Sequence, residues 1–266
     1  MNPWLVLLIV WLLAVSMMTV GWSWQARHDN AGIVDVLWSA GVGGSAVVMA
    51  VLGPGAFAPR VLLAILGGLW GVRLAVYLAS RIRREGEDGR YRALRSRWGR
   101  DQRKWFAFFQ FQAALIPLFA LPFVAVSVND ATLPIPLVLG ALVWAIAVSG
   151  ESLADAQLAR FRADPANRGR ACRAGLWKRS RHPNYFFEWV HWLSYVLVAV
   201  GSPLWWLSLA GPVVMYLFLR YLSGIPFTEA QSLRTRGDDY RDYQSTTPML
   251  FPRLFMRSDD ASRTSP

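Results

Sequence analysis

Apolar windows alternate with short polar stretches along this chain, and several are long enough to cross a bilayer, which takes about 20 residues of helix. Seven such windows are predicted as transmembrane helices: residues 3–22, 31–52, 61–80, 105–128, 133–150, 185–200 and 204–222. The sixth is short, and only Gly201-Ser202-Pro203 divides it from the seventh, so six or eight spans stay open. The expected fold is therefore all-α, a polytopic integral membrane protein of about seven helices. Residues 1–252 are read as a single membrane-embedded domain, and 253–266 as a polar tail expected to be disordered. The first window lacks a basic leading segment and a small-residue cleavage pattern, so it is expected to be retained.

Charge then sets an orientation. The chain is 54% hydrophobic yet carries a formal net charge of +11, and the two properties occupy different segments. Residues 81–104 hold ten Lys/Arg against four acids, and residues 160–181 hold eight against one. The alternate loops are almost uncharged. With seven spans both basic loops and the C-terminus share a side. The positive-inside bias makes that side cytoplasmic and puts the N-terminus outside.

With that topology, the intramembrane polar residues gather in the cytoplasmic half. Asp35 lies about a turn inside the second span, with Trp38 near it on the same face. Trp70, Arg73 and Tyr77 line the third span, and Gln110 and Gln112 enter the fourth at the same level. Glu151 and Asp155 stand four apart at the end of the fifth, while Glu188, His191 and Trp192 begin the sixth. Ionisable residues in a bilayer are costly and face a partner or a cavity. One polar layer shared by several helices argues for a cavity open to the cytoplasm. Asp35 with Arg73 as a structural ion pair is the plainer alternative.

The basic loops differ in character. Residues 81–104 suit anionic lipid head groups. The second basic loop runs straight into Arg181-His182-Pro183-Asn184-Tyr185 and Glu188, and its arginines suit several phosphate oxygens, which guanidinium forks grip bidentately. A phosphorylated dinucleotide fits that pattern, although the pattern alone does not name a cofactor. Nucleic acid does not fit, because the positive charge is confined to short loops against a membrane with no binding module. Cys172 is the single cysteine, so no internal disulfide and no metal cluster are expected. Glycines 41, 43, 44, 67, 68 and 71 suit close helix packing.

Taken together, these strings resemble the steroid 5α-reductase superfamily, in particular its bacterial membrane branch of DUF1295-like proteins. The matching residues run Glu151-Ser-Leu-Ala-Asp155-Ala-Gln157, Gly175-Leu-Trp177, Arg181-His-Pro-Asn-Tyr185, Glu188-Trp189, Ser223-Gly-Ile-Pro226 with Glu229, and Tyr240-Arg-Asp-Tyr243-Gln244. Asp35-x-x-Trp38 and Arg73-x-x-x-Tyr77 look like its N-terminal half. The Arg-His-Pro-x-Tyr string is also shared with isoprenylcysteine and phospholipid methyltransferases that use S-adenosylmethionine, which keeps that activity as the alternative. A non-enzymatic lipid-binding protein is a third reading.

The resemblance implies an NADPH-dependent oxidoreductase of the bacterial inner membrane, with its cofactor site facing the cytoplasm. Its substrate would be a lipophilic enone, such as a 3-oxo-Δ4 steroid, entering from the membrane lipids. By position it points to Glu151, Asp155, Arg162, Arg170, Asn184, Glu188 and Glu229 for the cofactor, with Arg179, Arg181 and His182 added for their place in the motif. An acid on the second span and a tyrosine on the third polarise the ketone in the steroid enzymes. Here they correspond to Asp35 and to Tyr77 or Trp70, with Arg73 beside them. Trp38, Gln110, Gln112 and Trp192 are the expected substrate-pocket residues.

Overall fold

The computed structural model describes residues 1–222 and 224–253, so Ser223 and residues 254–266 of the expected disordered tail lie outside the described residues. Those described form helices and turns with no strand. The helices are α1 (Pro3–His28), α2 (Ile33–Leu52), α3 (Phe57–Glu85), α4 (Gly89–Trp98), α5 (Gln102–Phe119), α6 (Leu121–Ser127), α7 (Pro134–Ala163), α8 (Pro183–Val198), α9 (Ala210–Leu217) and α10 (Ile225–Thr246).

Local chemistry explains several boundaries. The Asn2 side chain accepts from the Trp4 amide at 2.9 Å and Pro3 opens α1, a start in which proline's missing N–H is no loss. Asp88 caps α4 by accepting from the Arg90 amide at 2.9 Å. Pro117 and Pro122 flank the break between α5 and α6, since a proline removes a helical donor and crowds the preceding turn.

Six segments are long and apolar enough to cross a membrane: α1, α2, α3, α5 with α6, α7, and the run from Trp205 into α10. The sixth window, 185–200, is α8, and its 16 residues reach only about 24 Å at ~1.5 Å each, short of a hydrocarbon core of about 30 Å. Within the last run the apolar part ends near Leu222. Helix α10 carries seven charged residues in 22, which suits water or head groups and not hydrocarbon.

The chain forms two compact units. Unit 1 comprises residues 1–144 and 192–214, and unit 2 comprises 145–191 and the described residues from 215.

In unit 1, α2 and α3 cross backbone to backbone. A Cβ placed on Gly43 would come 2.6 Å from the Gly71 Cα, and one on Gly71 would come 2.5 Å from the Gly43 Cα. A Cβ on Gly67 would come 2.3 Å from the Ala46 Cβ. The small-residue packing expected of these glycines is thus present at 43, 67 and 71, whereas a Cβ on Gly44 meets nothing within 4 Å. Nearby, Trp192 is packed by Trp70, Phe119, Phe123 and Tyr195 at ring separations of 5.3–5.9 Å. Trp38 sets its edge against Trp70 and Phe119.

Candidate functional site

Unit 2 holds every residue expected to meet the cofactor. The end of α7 and the start of α8 run antiparallel there. Asn184 Nδ2 donates to Asp155 Oδ1 at 3.1 Å, and one turn further Gly150 faces Phe187 so closely that a Cβ would lie 2.4 Å from the ring. That register sets Glu151 and Glu188 at one level of the helix pair, both buried at 7% and 9% exposure. Two carboxyl groups, a third at Asp155 and the Asn184 amide therefore share one strip. Such a strip can accept from hydroxyl and amide groups of a ligand.

The loop between these helices is pinned to α7 near its C-terminal end. Gln157 Oε1 accepts from the Leu176 amide at 2.9 Å, and Trp177 Nε1 donates to the Ala154 carbonyl at 2.9 Å. Gly175 has φ +57, a conformation that favours glycine, and a Cβ there would also have to displace the Gln157 amide. Ala171 N–H donates to Asp239, and Arg173 donates to the Asp239 carbonyl at 2.8 Å and to Asp242 Oδ2 at 2.7 Å. The loop thus lies along α10, over Tyr240 and Tyr243.

Arg181, His182 and Glu229 are brought together, but for each other. Arg181 Nε donates to Glu229 Oε1 at 2.7 Å, and its Nη1 donates to the carbonyls of Gln244 and Thr247. Gln244 Nε2 donates to the other Glu229 oxygen at 2.8 Å. His182 Nε2 lies 3.2 Å from Glu229 Oε1. A carboxylate only accepts, so Nε2 carries the proton.

Burial alone would raise the Glu229 pKa, but the hydrogen bonds from His182 and Arg181 and the guanidinium charge outweigh it and bring it down to about 2. Burial holds the His182 imidazole below its usual range, against the pull of Glu229, so the ring is neutral near pH 7.

The remaining arginines sort differently. Arg162, Arg170 and Arg179 are exposed, and no carboxylate lies within ion-pairing distance of them among the described residues. Arg236 on α10 donates to Ser232 Oγ at 2.7 Å. Burial, then the like charge of nearby Arg162, lowers its pKa against Asp239 and Tyr240.

In unit 1 the structure relocates the expected partner of Asp35. Its two oxygens accept from Arg90 Nη2 at 3.0 Å and from the Tyr91 hydroxyl at 2.6 Å, so it pairs with α4 and not with Arg73. Arg73 lies half-buried on α3, and Tyr77 is 39% exposed on the same helix. Gln110 donates to Thr19 Oγ1 at 3.1 Å, and Gln112 lies half-buried two residues on. Trp38, Trp70 and Trp192 are brought together, in the packed aromatic cluster already described.

Residues 21–247 match the family described as "Protein of unknown function (DUF1295)". The chain is a member of the DUF1295 family. That is the family to which the strings in unit 2 had pointed. No curated protein and no solved structure matches the chain.

Among functional candidates in this DUF1295 protein, sequence reasoning missed Arg90, Tyr91 and Arg236. For Tyr91 a signal existed: residues 91, 94, 95 and 98 mark one face of a short helix. For Arg236 nothing local set it apart from the other arginines of α10. Among the described residues no group of three or more His, Cys, Asp and Glu side chains is arranged to hold a metal ion, and Cys172 is a buried free thiol.

Proposed function

We propose that this DUF1295 protein is an NADPH-dependent membrane reductase that saturates a C=C bond conjugated to a ketone in a lipophilic substrate. One observation carries the reading. Unit 2 contains both exposed guanidiniums that have no carboxylate within ion-pairing distance among the described residues and a strip of largely buried carboxyl groups with an amide. A ligand that fits both is anionic at one end and rich in hydroxyl and amide groups at the other, as a phosphorylated nicotinamide dinucleotide is.

In this reading Arg162, Arg170 and Arg179 hold phosphate oxygens, with Arg236 behind Arg162. Asn184, oriented by Asp155, and the acids Glu151 and Glu188 accept from ribose hydroxyls or the carboxamide. Arg181, His182 and Glu229 take a different role from the one the motif suggests: they position α10 and the following segment, and act on the cofactor only through that.

The chemistry NADPH supplies when bound is hydride donation to an activated double bond. The protein's share is to place the cofactor and to stabilise charge on the substrate oxygen, where one well-aimed donor contributes about 3 kcal/mol. Asp35 accepts on both oxygens, which suits an orienting group better than a donor. Tyr77 is then the candidate donor in unit 1. The expected setting is an inner membrane with both basic loops on the cytoplasmic side, following their charge.

The deciding experiment measures thermal shifts of detergent-solubilised protein with NADPH, NADH and S-adenosylmethionine. Stabilisation by NADPH above NADH is expected, by tenfold or more in affinity, since charge-assisted hydrogen bonds to the extra phosphate contribute about 1.5–3 kcal/mol. Response to S-adenosylmethionine alone moves the reading to a methyltransferase. No response to any of the three ends both.

A further inference from the structure

The arginines of residues 81–104 fall into two groups. The first turns inward onto acids. Arg90 Nη2 meets Asp35 at 3.0 Å, Arg95 Nη2 meets Glu87 at 2.8 Å, and Arg95 and Arg100 meet Asp29 at 3.4 and 3.2 Å. Arg81 pairs with Asp88. Glu87 also accepts from the Ala31 amide at 2.7 Å. These contacts occupy Asp35, Glu87 and Asp88 within the fold and pair Asp29 at its surface. Of the remaining acids, Glu85 lies 3.9 Å from Arg81, and Asp101 caps α5 and pairs with Lys104.

The second group faces out. Helix α4 buries Tyr91 and half-buries Leu94, Arg95 and Trp98, and exposes Arg92, Ala93, Ser96 and Arg97, a division with the helical period. Arg27 in the last turn of α1, Arg83 and Arg84 at the end of α3, and Arg103 at the start of α5 are exposed as well. None of these six guanidiniums lies within ion-pairing distance of a carboxylate among the described residues.

We propose that this outward row is a docking surface for anionic phospholipid head groups, independent of the cofactor reading. The apolar lengths of α1, α3 and α5 all end at this segment, which sets it at the edge of the hydrocarbon where head-group phosphates lie. Internal pairing removes the acids that would repel such phosphates and leaves net positive charge on the outside. A soluble phosphate compound fits less well. The exposed arginines are spread over four helices, α1, α3, α4 and α5. A depression in this part of the chain is lined by Asp35 and Asp88 along with Gly32, Leu78, Arg81 and Ile82, and two carboxylates there oppose an anion.

The test uses the full-length protein. Native mass spectrometry counts retained lipid after purification, and melting is followed in bilayer discs of phosphatidylcholine alone or mixed with phosphatidylglycerol. Wild type is expected to retain phosphatidylglycerol selectively and to melt higher in the mixed discs, with the gain shrinking as salt rises. The variant Arg83→Gln/Arg84→Gln/Arg92→Gln/Arg97→Gln should lose the preference, by roughly fivefold for each charge removed. The double variant Arg92→Gln/Arg97→Gln gives the same readout should the larger one fold poorly, and melting in phosphatidylcholine alone controls for folding. An unchanged preference in a folded variant overturns the proposal. So does displacement of phosphatidylglycerol by NADPH or inorganic phosphate, which would make the row a site for soluble phosphates.

Discussion

Arg181 and Glu229 stand 48 residues apart in the chain and meet at 2.7 Å, with side chains only 11% and 16% exposed. Two further donors, from His182 and Gln244, complete the carboxylate's shell. Removing one partner leaves a buried charge without its counterpart, which costs about 3–5 kcal/mol. Glu229→Ala is therefore expected to lower the melting temperature sharply. Arg181→Met combined with Glu229→Leu should recover part of that loss. Additive losses in the double variant would show that the two residues act separately.

Acid should loosen the same cluster in two stages. The unfolded imidazole takes a proton as pH falls below its usual value near 6.5, while buried His182 resists it, so stability declines from there downward. Glu229, with a folded pKa of about 2 against 4.5 unfolded, stabilises fully above 4.5 and loses that contribution as pH falls toward 2. Melting temperature against pH should thus begin to fall near 6.5 in wild type. In His182→Gln that first decline should vanish while the second stays. A flat wild-type profile between pH 7 and 5 would contradict the neutral buried ring.

The α2–α3 crossing makes a steric prediction. Backbone stands against backbone at Gly43 and Gly71, so any side chain there must push the helices apart. Gly43→Val or Gly71→Val should cost at least about 1–3 kcal/mol, the usual penalty of overpacking. Gly44→Ala, where a Cβ meets nothing within 4 Å, should be tolerated or mildly stabilising, as a helical glycine replaced by alanine often is. Equal behaviour at 43 and 44 in a melting assay would refute the crossing.

For the cofactor reading, two substitutions separate the two ends of the ligand. Arg162→Gln should weaken NADPH by tenfold or more and leave NADH nearly unchanged, because only the former carries the extra phosphate. Asn184→Ala should weaken both alike. Isothermal titration decides it, and parallel losses from both variants would remove the phosphate role of Arg162.

The proposed orientation is checked by labelling. Cysteine introduced at Ala93 or Gly169, both exposed, should react only from the cytoplasmic side, and at Ala131 only from the other. The reverse pattern would put both basic loops outside, away from cytoplasmic nucleotides.

Much of this was legible beforehand, for a physical reason. A bilayer demands long apolar helices, so the apolar windows located the starts of α1, α2, α3, α5 and α7 to within about four residues. The polar C-terminal ends of α1, α3 and α7 run on to His28, Glu85 and Ala163, past their windows. Such windows failed where helix length is not set by hydrocarbon thickness. Helix α4 is short and polar, with boundaries set by the Asp88 cap and Gly99, and it lay inside what read as a basic loop. Missing α4 meant missing the partners of Asp35, since Arg90 and Tyr91 are 55 and 56 residues away in the chain. In unit 2, the pairing of Asn184 with Asp155 follows from two antiparallel helices and no local pattern. The internal contacts of Arg181 and His182 were hidden because an arginine that binds phosphate and one that binds a glutamate look alike in a string.

The use of Arg181 as an internal fastener bears on how such proteins are sorted. The Arg-His-Pro-x-Tyr string recurs in reductases and in methyltransferases whose chemistry has nothing in common. If the arginine and histidine anchor a C-terminal segment, that recurrence records a shared way of closing the chain, and it carries no information about which bond is made or broken. Sorting by chemistry then has to rest on neighbours the anchor does not consume: Asn184 and Glu188 on one helix, Glu151 and Asp155 on the other. On the proposed cofactor reading, two chains with the same anchor and different residues at those four positions would differ in the ligand they hold.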